Sequence, residues 1–412
     1  MLIEFTVGNF RSFKEPAAFS MVAAKIQARD PHINQNNTIL VNERWKLLTS
    51  AAVYGANASG KSNFIKAMSF MKNFVLFSTS QIFSAEGINT APFLLNTSTE
   101  SQPSLFQVIF LIEGVTYRYG FEVNKHRVEA EWLFAALSQK ESRLFVRTGD
   151  DIQISRSFKE GRDLQTRTRP ASLFLSVVEQ WNGEIAHKII TWFRSVEIIS
   201  GLNDREYQEF TLRKFSDEAS RKTIIDFVTK LDLGIEDMKS QVPSAPGLEE
   251  AAGDEFSIQT AHLKFNDLRQ LVATEMFTLA SQESLGTQKI FFLAGPILDV
   301  LAKGSILLID EMEARLHPII TRSLIGLFNS KETNPQNAQL VFTTHDTNLL
   351  SNRIFRRDQV WFVEKDTFGA SHLYSLVEIK VRNDASFEKD YFEGRYGAIP
   401  YVSDQIQVTA EN

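Results

Sequence analysis

Cysteine is absent from the chain. That excludes disulfides and thiolate-bound metal, and it fits a reducing compartment, so a cytoplasmic location is expected. No unbroken apolar run reaches the roughly 18 residues a bilayer span needs, so no membrane partner is expected. No secretory leader is expected either: the opening "MLIEFTVGNFRSF" alternates apolar and polar residues and reads as a strand. Strong charge of one sign is also lacking. A formal net charge of −6 over 412 residues gives no global attraction to nucleic acid, so any such contact must come from a local patch. There are no internal repeats, no long low-complexity tract and no sustained heptads, which argues against a long coiled-coil arm. What remains is a composition 43% hydrophobic and 23% charged, that of a globular protein with one large or two ordinary domains.

The first chemically specific stretch is "AAVYGANASGKSN", residues 51–63. Its spacing, G-x-x-x-x-G-K-S, runs from Gly55 to Ser62. The apolar run "LLTSAAVY" before it reads as a buried strand, and Phe64, Met68, Met71 and Val75 after it recur at helical spacing. Strand, glycine loop and helix form the context that a phosphate-binding loop requires. The small residues Gly55, Asn57, Ala58, Ser59 and Gly60 leave room for backbone N–H groups to wrap a phosphate, with the helix N-terminus adding partial positive charge. Lys61 is expected to reach the β- and γ-phosphates of ATP, and Ser62 to hold Mg2+.

Further on, "SILLIDE" (residues 305–311) is an apolar strand ending in two carboxylates. Asp310 is the expected Mg2+ ligand and Glu311 the residue that orients the attacking water. "LVFTTHD" (residues 340–346) is a second such strand, which places His345 to sense the γ-phosphate. Strand ends of this kind line one crevice in parallel α/β sheets. Before both lies "ASQESLGTQKIFFLAGPILDVLA", where Ser284 and Gly286 open an apolar helical run, a second anion site built from free N–H groups.

Taken in order, "NFRSF", "GANASGKSN", "ESLGTQ" and "LLIDEMEARLHP" followed by "TTHD" resemble the ABC-type ATPases of the SMC, RecF and OLD kind. Asn63 after the P-loop serine, the "E-x-x-LHP" stretch and the late "GRYGAIP" (residues 394–400) resemble most the bacterial RloA and AbiL-like ATP-binding proteins of phage-defence systems. The likeness covers residues 1 to about 120 and about 255 to 400. It implies an α/β P-loop NTPase head with an antiparallel β-lobe and an inserted helical lobe. It also implies Arg11 and Ser12 near the nucleotide, with Ser284 and Gly286 acting on the ATP held by a second copy of the chain. Three positions depart from the pattern: Leu285 stands where transporters carry glycine, His317 replaces the usual aspartate after the Walker-B strand, and the Q-loop glutamine has only Gln107 as a candidate.

The remainder divides into three expected segments: residues 1–155 with the P-loop and β-lobe, 156–250 as helical insertion and linker, and 251–412 with signature, Walker B and switch histidine. Residues 105–133 alternate around turns at "EG" and "NK" and read as an antiparallel meander. "IAHKIITWFRSV" and "SRKTIIDFVTKL" read as helices, and "VPSAPGLEEAAGDE" as a linker. "RSFKEGRDLQTRTR" (residues 156–169) is a solvated loop or a nucleic-acid contact. The segment after His345 contains no Asp-x-Asp, and no Toprim nuclease of the kind OLD proteins carry is expected there. The expected arrangement is therefore an ATPase that dimerises on ATP and controls a separate effector, a toxin or a Toprim/RloB-like nuclease, in anti-phage defence. The alternatives are a RecF-like DNA-repair ATPase and an ATP-binding scaffold with little turnover.

Overall fold

The computed structural model describes residues 1–80, 87–137, 140–231, 234–240, 258–382 and 385–400. The linker "VPSAPGLEEAAGDE" lies outside them. By contacts the chain forms two compact units, Met1–Val196 with Val341–Asn412, and Glu197–Leu340. These boundaries fall at other points than the sequence segments. The helices Arg205–Ser216 and Glu218–Thr229 pack on the helix Leu285–Lys303, so they belong with the later part of the chain.

In the first unit a seven-stranded sheet runs in the order Asp151–Ile154, Ser142–Thr148, Val128–Ala136, Val115–Val123, Ser104–Ile112, Leu2–Gly8, Ala17–Ser20. Every neighbouring pair is antiparallel. The expected meander is its centre. The "EG" turn closes tightly because Glu113 (φ 48°) and Gly114 (φ 81°) both take left-handed conformations. The N-terminal strand joins that meander through Ser104–Ile112.

A second, mixed sheet carries the P-loop strand. Gln339–Thr343, Ser50–Tyr54, Val360–Lys365 and Ser371–Ser375 lie side by side in that order. The pairing of Ser50–Tyr54 with Val360–Lys365 is parallel, and that of Val360–Lys365 with Ser371–Ser375 antiparallel. All five residues of the P-loop strand are buried, which explains its unbroken apolar reading. The run "LLTSAAVY" is nevertheless two strands. Lys46–Leu48 pairs with Thr38–Leu40, and the chain turns at Thr49, whose N–H donates to the Asn37 carbonyl.

The helix Lys61–Phe77 follows the loop and buries Phe64, Met68, Met71 and Val75, the face read from the sequence. Each such side chain contributes about 1.5–3 kcal/mol when fully buried. The helices Phe174–Gln180 and Glu184–Ser195 pack against it. Glu131, wholly buried in the large sheet, accepts from the N–H groups of Phe174 and Leu175 and so satisfies the first of these helices at its start. The basic segment forms two short 3-10 turns, and Arg156, Lys159, Arg162, Arg167 and Arg169 are all exposed.

In the second unit, Val196–Ser200 lies beside Ile306–Asp310. The helix Leu285–Lys303 is the core, with Phe291, Leu293, Ile297 and Val300 fully buried. A close helix crossing forms at Gly295, where a Cβ would meet Thr211. This helix is long and apolar enough by length and mean hydropathy to cross a membrane, although Thr287, Gln288, Lys289 and Asp299 interrupt its apolar run. Its apolar residues face the unit's own helices and strand instead. Asp237–Ser240, Ile258–Phe265 and Leu271–Thr278 form a small antiparallel sheet.

Candidate nucleotide site

The P-loop is a cradle shaped by glycine. A Cβ at Gly55 would run into the Val363 carbonyl, and one at Gly60 into the hydroxyls of Ser371 and Ser12. Gly60 also takes φ 119°, a conformation that L side chains rarely adopt. Ala58 sits left-handed at φ 61°. The helix after the loop begins at Gly60 with no side chain capping it. Its first N–H groups and its dipole therefore point into the loop, as an anion site requires. The ammonium of Lys61 is buried and donates to the carbonyls of Gly55 (2.8 Å) and Ala56 (3.0 Å), which pins the charge over the loop.

The N-terminal turn is stitched to this cradle. Asn63 donates to the Ser12 hydroxyl at 2.8 Å, Ser371 N–H donates to the Ser12 carbonyl at 2.7 Å, and the Ser371 hydroxyl donates to the Ser59 carbonyl at 2.5 Å. Asn9 (φ 45°) and Arg11 (φ 52°) bend the turn, and Arg11 is exposed there. Asn9 anchors it by donating to the carbonyls of Thr99 and Gln102. Ser12 and Arg11 thus lie beside the P-loop. Ser371 was not legible in advance, because a serine in an ordinary hairpin strand carries no motif.

His345 leaves the strand end just after Thr344, whose N–H donates to Val53 of the P-loop strand at 3.1 Å. It is exposed on that side of the first unit. Gln107, the Q-loop candidate, is engaged inside the antiparallel sheet, where its side-chain oxygen accepts from the Trp132 indole at 3.0 Å.

The remaining candidates gather in the second unit. Strand Ile306–Asp310 is buried up to Asp310, and the chain then turns sharply at Glu311, which takes φ 55°. Both carboxylate residues are part-exposed at this end. Ser284 caps the helix Leu285–Lys303, its hydroxyl accepting from Thr287 N–H at 3.1 Å, and Gly286 lies in the first turn rather than before it. A Cβ at Gly286 would stand 3.1 Å from the Arg315 carbonyl, so the start of the helix Leu285–Lys303 and the turn after Glu311 are neighbours. His317 caps the helix Pro318–Phe328 by accepting from Ile319 N–H through Nδ1. The imidazole nitrogen thus supplies the acceptor that a Ser, Asp or Asn side chain more often gives at this position.

Cradle, uncapped helix and pinned lysine fit a nucleotide phosphate. Among the described residues no three His, Cys, Asp or Glu side chains form a metal cage.

A buried strand, a glycine-shaped loop and a helix on a mixed sheet define an α/β P-loop nucleotide-binding fold. The chain belongs to the family described as "AAA domain, putative AbiEii toxin, Type IV TA system", whose model matches residues 50–351. Two solved structures are distantly similar. The SMC head domain from Thermotoga maritima is 13% identical with a TM-score of 0.42, covering 92% of this chain and 99% of that one. The cbiO1 protein from Clostridium perfringens, part of the ABC transporter complex cbiONQ, is 9% identical with a TM-score of 0.33, covering 96% of this chain and 92% of the other. No curated protein matches.

Proposed function

We propose that this chain binds ATP in the P-loop cradle, hydrolyses it in the manner of ABC-type heads, and uses the cycle to control a separate effector in the cytoplasm. The observation that carries the reading is the cradle itself: two glycines that no side chain can replace, an uncapped helix start, and Lys61 pinned over the loop. Lys61 compensates the charge of the β- and γ-phosphates, and Ser12, Asn63 and Ser371 hold the loop in shape around them. Ser62 and Asp310 would hold Mg2+, which would supply positive charge to offset that of the phosphates. Glu311 orients the attacking water and accepts its proton, and His345 contacts the γ-phosphate. Ser284 and Gly286 meet the γ-phosphate bound by a second copy, so ATP joins two chains.

The family's description names a toxin and a type IV toxin–antitoxin system. It supports a two-component arrangement, with a toxin or a Toprim/RloB-like nuclease as the partner in anti-phage defence. The test is phosphate release by the purified chain with ATP and Mg2+, paired with sedimentation in the presence and absence of ATP. Turnover and an ATP-dependent dimer are expected. ATP binding without turnover leaves only a scaffold, and no ATP binding ends the reading. Exposure of all five cations in residues 156–169 favours a second reading, nucleic-acid binding. A steep fall of DNA affinity with salt, lost on neutralising Arg162 and Arg169, would establish it.

A further inference from the structure

The second unit holds a buried charge that the scheme above leaves unused. Lys289 lies five residues into the helix capped by Ser284 and is fully buried. All three of its ammonium protons are engaged: with the Gly201 carbonyl (2.6 Å), Asp204 Oδ1 (2.6 Å) and the Tyr207 hydroxyl (2.5 Å). The other oxygen of Asp204 accepts from Arg315 Nη1 at 3.1 Å, and Tyr207 donates to Asp204 Oδ1 at 2.6 Å. Arg315 sits in the turn after Glu311, itself left-handed at φ 63°.

Gly201 closes the circuit. Its N–H donates to the Asp310 carbonyl at 2.6 Å, and a Cβ on it would overlap the Glu311 carbonyl. Only glycine lets this backbone lie so close to the left-handed Glu311 turn. The signature helix, the end of the Walker-B strand and the turn beyond it therefore meet at one short segment, Gly201 to Asp204. Burial lowers the Lys289 pKa and the Asp204 carboxylate pulls it back up.

Resting on the ATPase reading, we propose that Lys289 is a positioning residue for hydrolysis. Through Gly201 it holds the Glu311 turn, and through Asp204 and Arg315 it keeps that turn in register with Ser284 and Gly286. It acts on turnover more than on ATP affinity, because Gly55, Ala56 and Lys61, which shape the phosphate cradle, make none of these bonds.

The test compares Lys289→Met with the parent. Methionine keeps the length and apolar stem, and Asp204 retains Arg315 and Tyr207 as partners. ATP affinity is expected within about threefold of the parent, with kcat lower by about 10- to 100-fold, the scale of a small misplacement at a reacting group. In a Glu311→Gln background the same change should add no more than about twofold, since both lesions act through one group. Amide exchange at Gly201 should quicken by about tenfold or more as its bond to Asp310 loosens. If Lys289→Met does not fold, Asp204→Asn keeps the shape of the side chain between Lys289 and Arg315 and removes its charge, and should lower kcat in the same way with ATP binding kept. Parental kcat in a folded variant, or losses that multiply with Glu311→Gln, overturns the proposal. A parent that binds ATP and never turns it over overturns the ATPase reading, and exchange at Gly201 that is unchanged by Lys289→Met separately overturns the link to the Glu311 turn.

Discussion

Two long helices open beside expected phosphate sites, and each carries a buried lysine near its start. Lys61 begins the helix Lys61–Phe77 and donates to the Gly55 carbonyl, while Lys289 lies inside the helix Leu285–Lys303 and donates to the Gly201 carbonyl. The starts differ. Gly60 leaves its helix without a side-chain cap, whereas Ser284 already satisfies the N–H of Thr287. The first helix therefore presents its donors to a ligand, and the second spends its serine on its own first turn. The lysines differ for the same reason. Lys61 sits in a loop that a phosphate can enter, with carbonyls for it to exchange. Lys289 has three fixed partners in a closed core, one of them a carboxylate. A lysine after a glycine motif is thus a ligand-binding group only where the backbone leaves space above it.

The comparison breaks most visibly at Lys61. Lys61→Ala removes the charge over the cradle, and ATP binding is expected to fall by about 100-fold or more, since a charge-assisted hydrogen bond to phosphate contributes about 1.5–3 kcal/mol and the Coulombic term adds to it. Calorimetry with unchanged affinity would sink the P-loop assignment. Glu311→Gln comes next. It keeps ATP affinity and loses about 10²–10⁴-fold in kcat, the range for removing a general base; turnover within a few-fold of the parent would make Glu311 structural.

Gly286→Arg is expected to keep ATP binding and abolish the ATP-dependent dimer. Mixed with Lys61→Ala chains under conditions where subunits exchange, it should recover part of the ATPase activity, because one site of the mixed dimer carries neither lesion. Since a Cβ there already stands 3.1 Å from the Arg315 carbonyl, Gly286→Ala belongs beside it. Dimerisation lost in the alanine variant as well would locate the effect inside the unit instead of at a partner. The smallest effect sharpens the contrast of the two helix starts. Ser284→Ala should cost about 1 kcal/mol of stability in urea unfolding, the usual loss for a helix cap.

The amino-acid order alone determined the local pieces. The P-loop strand and helix, the alternating meander, and the buried strand ahead of Asp310 were legible because each is written in a short-range period or a glycine spacing. Phe64, Met68, Met71 and Val75 mark their buried face without reference to the rest of the chain. Tertiary structure alone decided which pieces meet. The break at Thr49 comes from pairing with a separate hairpin, and Ser371 reaches the P-loop only because its strand is laid down near it by the sheet. Lys289, Gly201, Asp204 and Arg315 are spread over more than a hundred positions, and nothing local announces that they share one cluster of hydrogen bonds. Periodicity records which face of an element is buried; the partner against which it is buried is set by long-range packing, and there an ordinary lysine acquires three fixed bonds.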